Sequence, residues 1–199
     1  MNISKYRLQA SVAIAVLLGV VATAPASAAT INWTQWTSFT VGYPGSAGGT
    51  IGSLNVAFSG DVFDPSTTGY PSWGPLTTFS GGTVGNPPPA SGGIIAQTGG
   101  NGASAITNTI TFSSAVTNPV IAIWSLGQPG LTTEYDFGQT PIFQSGGPSN
   151  EYGGVPITIT GNNVFGNEGN GTVQFNGVFT SLSWTNPVYE NWYGFTVGV

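Results

Sequence analysis

The chain has 199 residues, the length of one domain or at most two small ones, with two Lys+Arg, seven Asp+Glu, no His and no Cys. Both bases, Lys5 and Arg7, precede an apolar run that reads as an export signal; removing it leaves seven acids without a base and takes the formal charge from −5 to −7. Such a chain cannot displace counterions from a nucleic-acid backbone or hold an anionic lipid surface, and it has no His base, Cys nucleophile or Lys Schiff base.

Residues 1–28 read as a secretory signal: Lys5 and Arg7 form the charged start, Val12 to Ala22 the apolar middle, and Ala26-Ser27-Ala28 the cleavage site. The apolar middle falls short of the roughly 20 residues that span a bilayer, and no other stretch reaches that length. The expectation is a soluble exported protein starting at Ala29, with no membrane span and one domain over 29–199. Without Cys it has no disulfide, so stability rests on burial; a domain of this size covers roughly 70% of its unfolded surface.

The remaining elements predict an all-β fold, an antiparallel β-sandwich or jelly roll of about eight to ten strands. Ile31 to Val41 is a weak strand candidate, and Ser53 to Phe58 a clear one, with Leu54, Val56 and Phe58 on one face. Asp61 to Ser104 is the least strand-like region and reads as a long Gly/Pro-rich surface excursion, functional or loose. Ile106, Ile110 and Phe112 mark the next strand, with threonines opposite. Pro119 to Leu126 is apolar nearly throughout and predicts a central strand covered on both faces. Tyr135 to Phe143 is a weaker candidate, and Val155 to Thr160 alternates with Ile157 and Ile159 inward. Asn167 to Gly171 reads as a loop, and Asn162-Asn163 and Asn176-Gly177 as tight turns or bulges. Val173 to Trp184 and Trp192 to Val199 complete the set.

Two stretches, Thr109 to Gly130 (TITFSSAVTNPVIAIWSLGQPG) and Glu168 to Val199 (EGNGTVQFNGVFTSLSWTNPVYENWYGFTVGV), resemble exported bacterial proteins of the PEP-CTERM type. That resemblance covers about the C-terminal half and rests on packing motifs. It implies export by a Gram-negative, exopolysaccharide-producing cell and a place at the cell surface or in the extracellular matrix. It brings no activity and no functional residue. Such proteins continue into a Pro-Glu-Pro motif, a hydrophobic helix and a basic end, whereas this sequence stops at Val199 inside its last strand; either the tail is absent or the sequence is truncated, and without the tail release as a soluble protein is expected.

The acids are few enough to weigh singly. Glu134 and Asp136, two apart in TEYDF, share one face if that segment is a strand, and a carboxylate pair is what glycoside hydrolysis needs. The segment is similar to a strand motif of concanavalin-like glucanases, but Gly138 and Gln139 stand where a third acid is required. Asp61, Asp64 and Glu168, the last flanked by Asn167 and Asn170, are candidate oxygen ligands for Ca²⁺, the one ion considered for a chain otherwise expected to need no cofactor. They are equally ordinary turn residues.

Aromatic faces on a β-sandwich stack on sugar rings, and Trp33, Trp36, Tyr70, Trp73 and Tyr152 lie in weak-strand or loop contexts where they could be exposed. Trp124 and Trp184 read as core, and of Trp192 and Tyr193 only one can face inward. No nucleophile elbow, phosphate-binding loop or dinucleotide fingerprint occurs. The leading expectation is a secreted, non-enzymatic surface or exopolysaccharide-matrix protein. The alternative is a carbohydrate-binding module using the aromatics, with or without Ca²⁺; a glycoside hydrolase using Glu134 and Asp136 comes third.

Overall fold

Alternation along the strands builds the two inner faces of an all-β sandwich. The computed structural model describes residues 27–67, 69–100 and 105–199; all but the last two residues of the expected signal lie outside them. Fourteen strands form among the described residues: β1 (Gln35–Thr40), β2 (Gly42–Ile51), β3 (Leu54–Val62), β4 (Ile95–Gln97), β5 (Thr107–Thr117), β6 (Val120–Leu126), β7 (Thr133–Phe137), β8 (Ile142–Gly146), β9 (Val155–Pro156), β10 (Thr158–Thr160), β11 (Asn163–Gly166), β12 (Gly169–Gln174), β13 (Val178–Thr185) and β14 (Tyr193–Gly198). The larger sheet runs β1-β2-β3-β5-β13-β7-β11-β10, and the smaller β4-β14-β6-β12-β8, with β9 pairing parallel to β12. Among the described residues no helix is long and apolar enough to cross a membrane.

Inward residues of both sheets meet in one core, including Phe58, Phe112, Tyr135, Phe137 and Trp184 from the larger sheet and Ile121, Ile123, Phe195 and Val197 from the smaller. The rings interlock at offset and edge-to-face angles that suit the aromatic quadrupole: Trp184 lies 4.9 Å from Phe195 and 5.8 Å from Phe58. A second core lies on the other face of the smaller sheet. There Val120, Ala122 and Trp124 of β6 are covered by Ile31, Trp33, Trp73, Phe79, Val84 and Ile94. The central strand is thus buried on both sides, as its continuous apolar run predicts.

This second core corrects the surface excursion over 61–104. Asp61 and Val62 finish β3, Leu76–Phe79 make one helical turn, Ala90–Gly92 a 3-10 turn, and Ile95–Gln97 the edge strand β4. The apolar side chains scattered between its Gly and Pro residues are what cover β6. Strand number also exceeds the expected eight to ten, because Tyr135 to Phe143, Val155 to Thr160 and Val173 to Trp184 each break into two strands and because β2, β4 and β11 form where no strand is expected. Asn167 to Gly171 is corrected as well: from Gly169 on it is β12, fully buried between β6 and β8.

Candidate functional site

Strand β6 carries an irregularity at its end that opens a site. Val120, Ala122 and Trp124 face the outer core and Ile121 and Ile123 the inner one, yet Leu126 also faces the inner one. The phase slips at Ser125, whose φ of 59° lies in the left-handed region, opposite the register shift between Gly169 and Gly171 of β12. Glu168, just before β12, has the same φ of 59°. Two non-glycine residues held there cost energy that the surroundings must repay, a feature that concentrates at functional sites.

Asn170, fully buried, repays part of it. Its Oδ1 accepts from Ser125 N at 2.8 Å, and its Nδ2 donates to the carbonyls of Gly153 at 3.1 Å and Glu168 at 3.0 Å. Ser125 Oγ in turn donates to Glu168 Oε1.

Around this bulge lies a cavity of about 230 Å³ whose walls include Ser125, Gln128, Tyr152, Glu168, Glu190 and Trp192. Trp124 forms the backing: its ring centroid is 4.8 Å from Trp192, 5.3 Å from Tyr152 and 5.3 Å from Tyr70. Tyr152 is exposed and Trp192 and Tyr70 half-buried, so three rings present surface around a buried fourth. Asn191 Nδ2 donates to Gln128 Oε1 at 3.1 Å across the rim. Glu151 braces the rings from behind, its Oε1 accepting from Ser72 N at 2.8 Å and its Oε2 from Trp124 Nε1 at 3.4 Å.

The carboxylates here are poorly hydrated. Burial pushes Glu190 up to about 7, against the opposing backbone N–H groups of Trp192, Gly127 and Asn191, and Glu168 adds repulsion. Glu190 is only 4% exposed, and its Oε2 has no hydrogen-bond partner among the described residues. Burial also raises Glu168, opposed by the Ser125 hydroxyl, and raises Tyr70, whose hydroxyl bonds to Tyr152 near Glu151 and Glu168. At neutral pH the site therefore offers Glu190 as both donor and acceptor beside apolar ring faces.

Of the residues singled out in the sequence, Tyr70, Tyr152 and Glu168 come together here. The expected exposure of Trp33, Trp36 and Trp73 is corrected. Trp36 is fully buried, donating its Nε1 to Thr196 Oγ1 at 3.1 Å; Trp33 Nε1 donates to Asn86 O at 3.2 Å; and Trp73 packs edge-on to Phe79 at 5.2 Å. All three are needed to close one core or the other. Glu134 and Asp136 do share the outer face of β7, Glu134 half-buried and accepting from Asn163 Nδ2 at 2.8 Å, Asp136 exposed.

Asp61 and Glu168 line separate cavities, and Asp64 lies exposed beyond β3; among the described residues no three metal-ligating side chains gather. Asp61 has a different task. Its Oδ2 accepts from Thr98 N at 2.6 Å and Gly99 N at 2.7 Å, and Asp61 N donates to Asn108 Oδ1 at 2.8 Å. Gln97, Asn108 and Asn186 extend this buried network to the Tyr135 hydroxyl. Asp61→Ala should destabilise the fold by about 2 kcal/mol, since two backbone N–H groups lose their acceptor. Asp61→Asn, which keeps one oxygen, should cost less in the same urea titration; equal costs would contradict the assignment.

A larger cavity, about 370 Å³, lies over Asp61 with the exposed rings of Tyr43, Phe63 and Tyr189 at its rim. Its acid takes two short backbone N–H bonds and has no buried atom without a partner, whereas Glu190 Oε2 is buried with no partner among the described residues. That difference selects the smaller cavity. Sequence reasoning missed Glu190 and Glu151 there and reached Trp192 only in part. The available signal was an acid within two residues of an aromatic, in Glu151-Tyr152 and Glu190-Asn191-Trp192. No protein-family model, curated protein or solved structure matches the chain.

Proposed function

We propose that the chain is an exported, non-enzymatic β-sandwich protein of the cell surface or exopolysaccharide matrix, and that it holds polysaccharide at the Tyr152–Trp192 pocket. The observation that carries this reading is the pairing of accessible Trp192 and Tyr152 rings with Glu168 and Glu190 in one cavity. Sugar rings have apolar C–H faces that stack on aromatics, and hydroxyls at their edges that bond carboxylates and amides such as Gln128. Export rests on the Lys5/Arg7, Val12 to Ala22 and Ala26-Ser27-Ala28 pattern, and the matrix location on the PEP-CTERM-type resemblance.

Native electrophoresis through gels containing soluble polysaccharides tests the binding. Retardation by at least one polysaccharide is expected, weakened about tenfold or more in Trp192→Ala and unchanged in Glu134→Gln. Free migration in every gel would overturn the reading. Release of reducing ends, abolished by Glu190→Gln or Glu134→Gln, would overturn its non-enzymatic half. Because Asp61 and Glu168 line separate cavities, calcium and EDTA should give the same melting temperature; a calcium-dependent rise would instead add an ion to the site.

A further inference from the structure

We infer that the polysaccharide held at this pocket carries protonated amines, as a hexosamine polymer with unacetylated nitrogens does. This rests on the saccharide reading above and names its ligand class. Glu190 Oε2 is buried without a partner among the described residues while its residue lines the pocket, so a donor is missing there. Glu168 lies close enough to repel it. Residues 8–199 contain no Lys, Arg or His, so the protein itself supplies no countercharge to either carboxylate.

A neutral hydroxyl would donate one hydrogen bond and leave the charges uncompensated. An ammonium donates three and carries the opposite charge. The rings favour the same ligand: Trp192 and Tyr152 both pack on Trp124, at centroid distances of 4.8 and 5.3 Å, and both line the one cavity. A cation over such faces is attracted by the ring quadrupole, the more so where water is excluded. A quaternary ammonium would suit the rings but bring no N–H to Glu190. An N-acetyl group brings one N–H without the charge. The acidity of the whole chain from residue 8 adds long-range attraction for a polycation.

Isothermal titration with a glucosamine oligomer, its fully N-acetylated counterpart and a glucose oligomer of the same length tests this. The free amine form is expected to bind at least about tenfold tighter than the other two. Glu190→Gln should abolish that preference, and Glu168→Gln should reduce it, in variants that keep the parent's near-ultraviolet circular dichroism. Asp136→Asn, which removes the same charge from the outer face of β7, should leave it intact. Equal affinity for all three oligomers would overturn the amine assignment and leave saccharide binding standing. An equal loss in Asp136→Asn would also overturn it, by reducing the preference to bulk charge. Absence of binding by any oligomer would overturn both readings.

Discussion

Trp184→Ala is expected to cost about 4–5 kcal/mol, a third or more of the roughly 5–15 kcal/mol by which a domain is stable. Trp184 lies on β13, between β5 and β7, and reaches across the sandwich to Phe195 of β14 at 4.9 Å. It also packs on Phe58 at 5.8 Å and on Tyr135 and Phe137, each at 5.6 Å, so its loss removes a contact shared by both sheets. The cavity would be bounded by rings on opposite strands, which cannot collapse into it without shifting the sheets. Trp184→Phe should cost much less, because a ring remains and an indole N–H that has no partner among the described residues is removed. Urea titrations of the two variants measure the difference. A Trp184→Ala protein as stable as its parent would mean that the sheets do not pack through this residue.

Glu190→Gln is expected to stabilise the folded protein at alkaline pH and to leave it unchanged in acid. The folded pKa of Glu190 is about 7 against an ordinary value of 4.5. Below 4.5 the carboxyl is protonated in both folded and unfolded chains, and its charge imposes no penalty. Between 4.5 and 7 unfolding releases a proton, so stability falls as pH rises; above 7 the full penalty of a buried, ionised carboxylate applies. The shift corresponds to about 3 kcal/mol, lowered to about 2 because Glu190 is among the residues lining an open cavity. Melting temperatures of parent and variant should therefore coincide below 4.5 and diverge through neutrality, with the variant higher. A parent whose stability rises through that window relative to the variant would contradict the burial of Glu190.

Penalties of this kind are where the chain departs from a merely stable sandwich. An uncompensated carboxylate, two left-handed non-glycine residues and exposed rings meet at one bulge, while Asp61, the other buried acid, has backbone N–H donors. Asp61 Oδ2 takes two backbone N–H bonds, whereas Glu190 Oε2 is buried with no partner among the described residues.

How much of this could be read from residues alone depended on how strictly each segment alternates. The runs at Val120–Leu126 and Ser53 to Phe58 announce their strands because burial on two faces or one dictates their patterns, although β3 runs on to Val62. Strand β2 (GYPGSAGGTI) hides, since its glycines are there for close approach: a Cβ at Gly49 would lie 2.6 Å from Gln35 O of the neighbouring β1. The excursion hides for another reason. Phe79, Val84 and Ile94 follow no period, being placed by the surface of β6 and not by a repeat of their own. In the site, Tyr70, Tyr152 and Glu168 were visible as residue types in loops. Glu190 and Trp192 joined them only because β14 brings its leading segment beside the bulge of β6, a long-range pairing with no local signature.

Six tryptophans give the most direct test of the saccharide pocket, because each indole N–H is a separate signal in a ¹⁵N–¹H spectrum. Titration with the glucosamine oligomer should move the signals of Trp192 and of Trp124 behind it, and leave those of Trp33, Trp36, Trp73 and Trp184 in place. A titration that moves none of the six, or one whose shifts gather instead around Tyr43, Phe63 and Tyr189, would contradict the assignment of this pocket as the binding site.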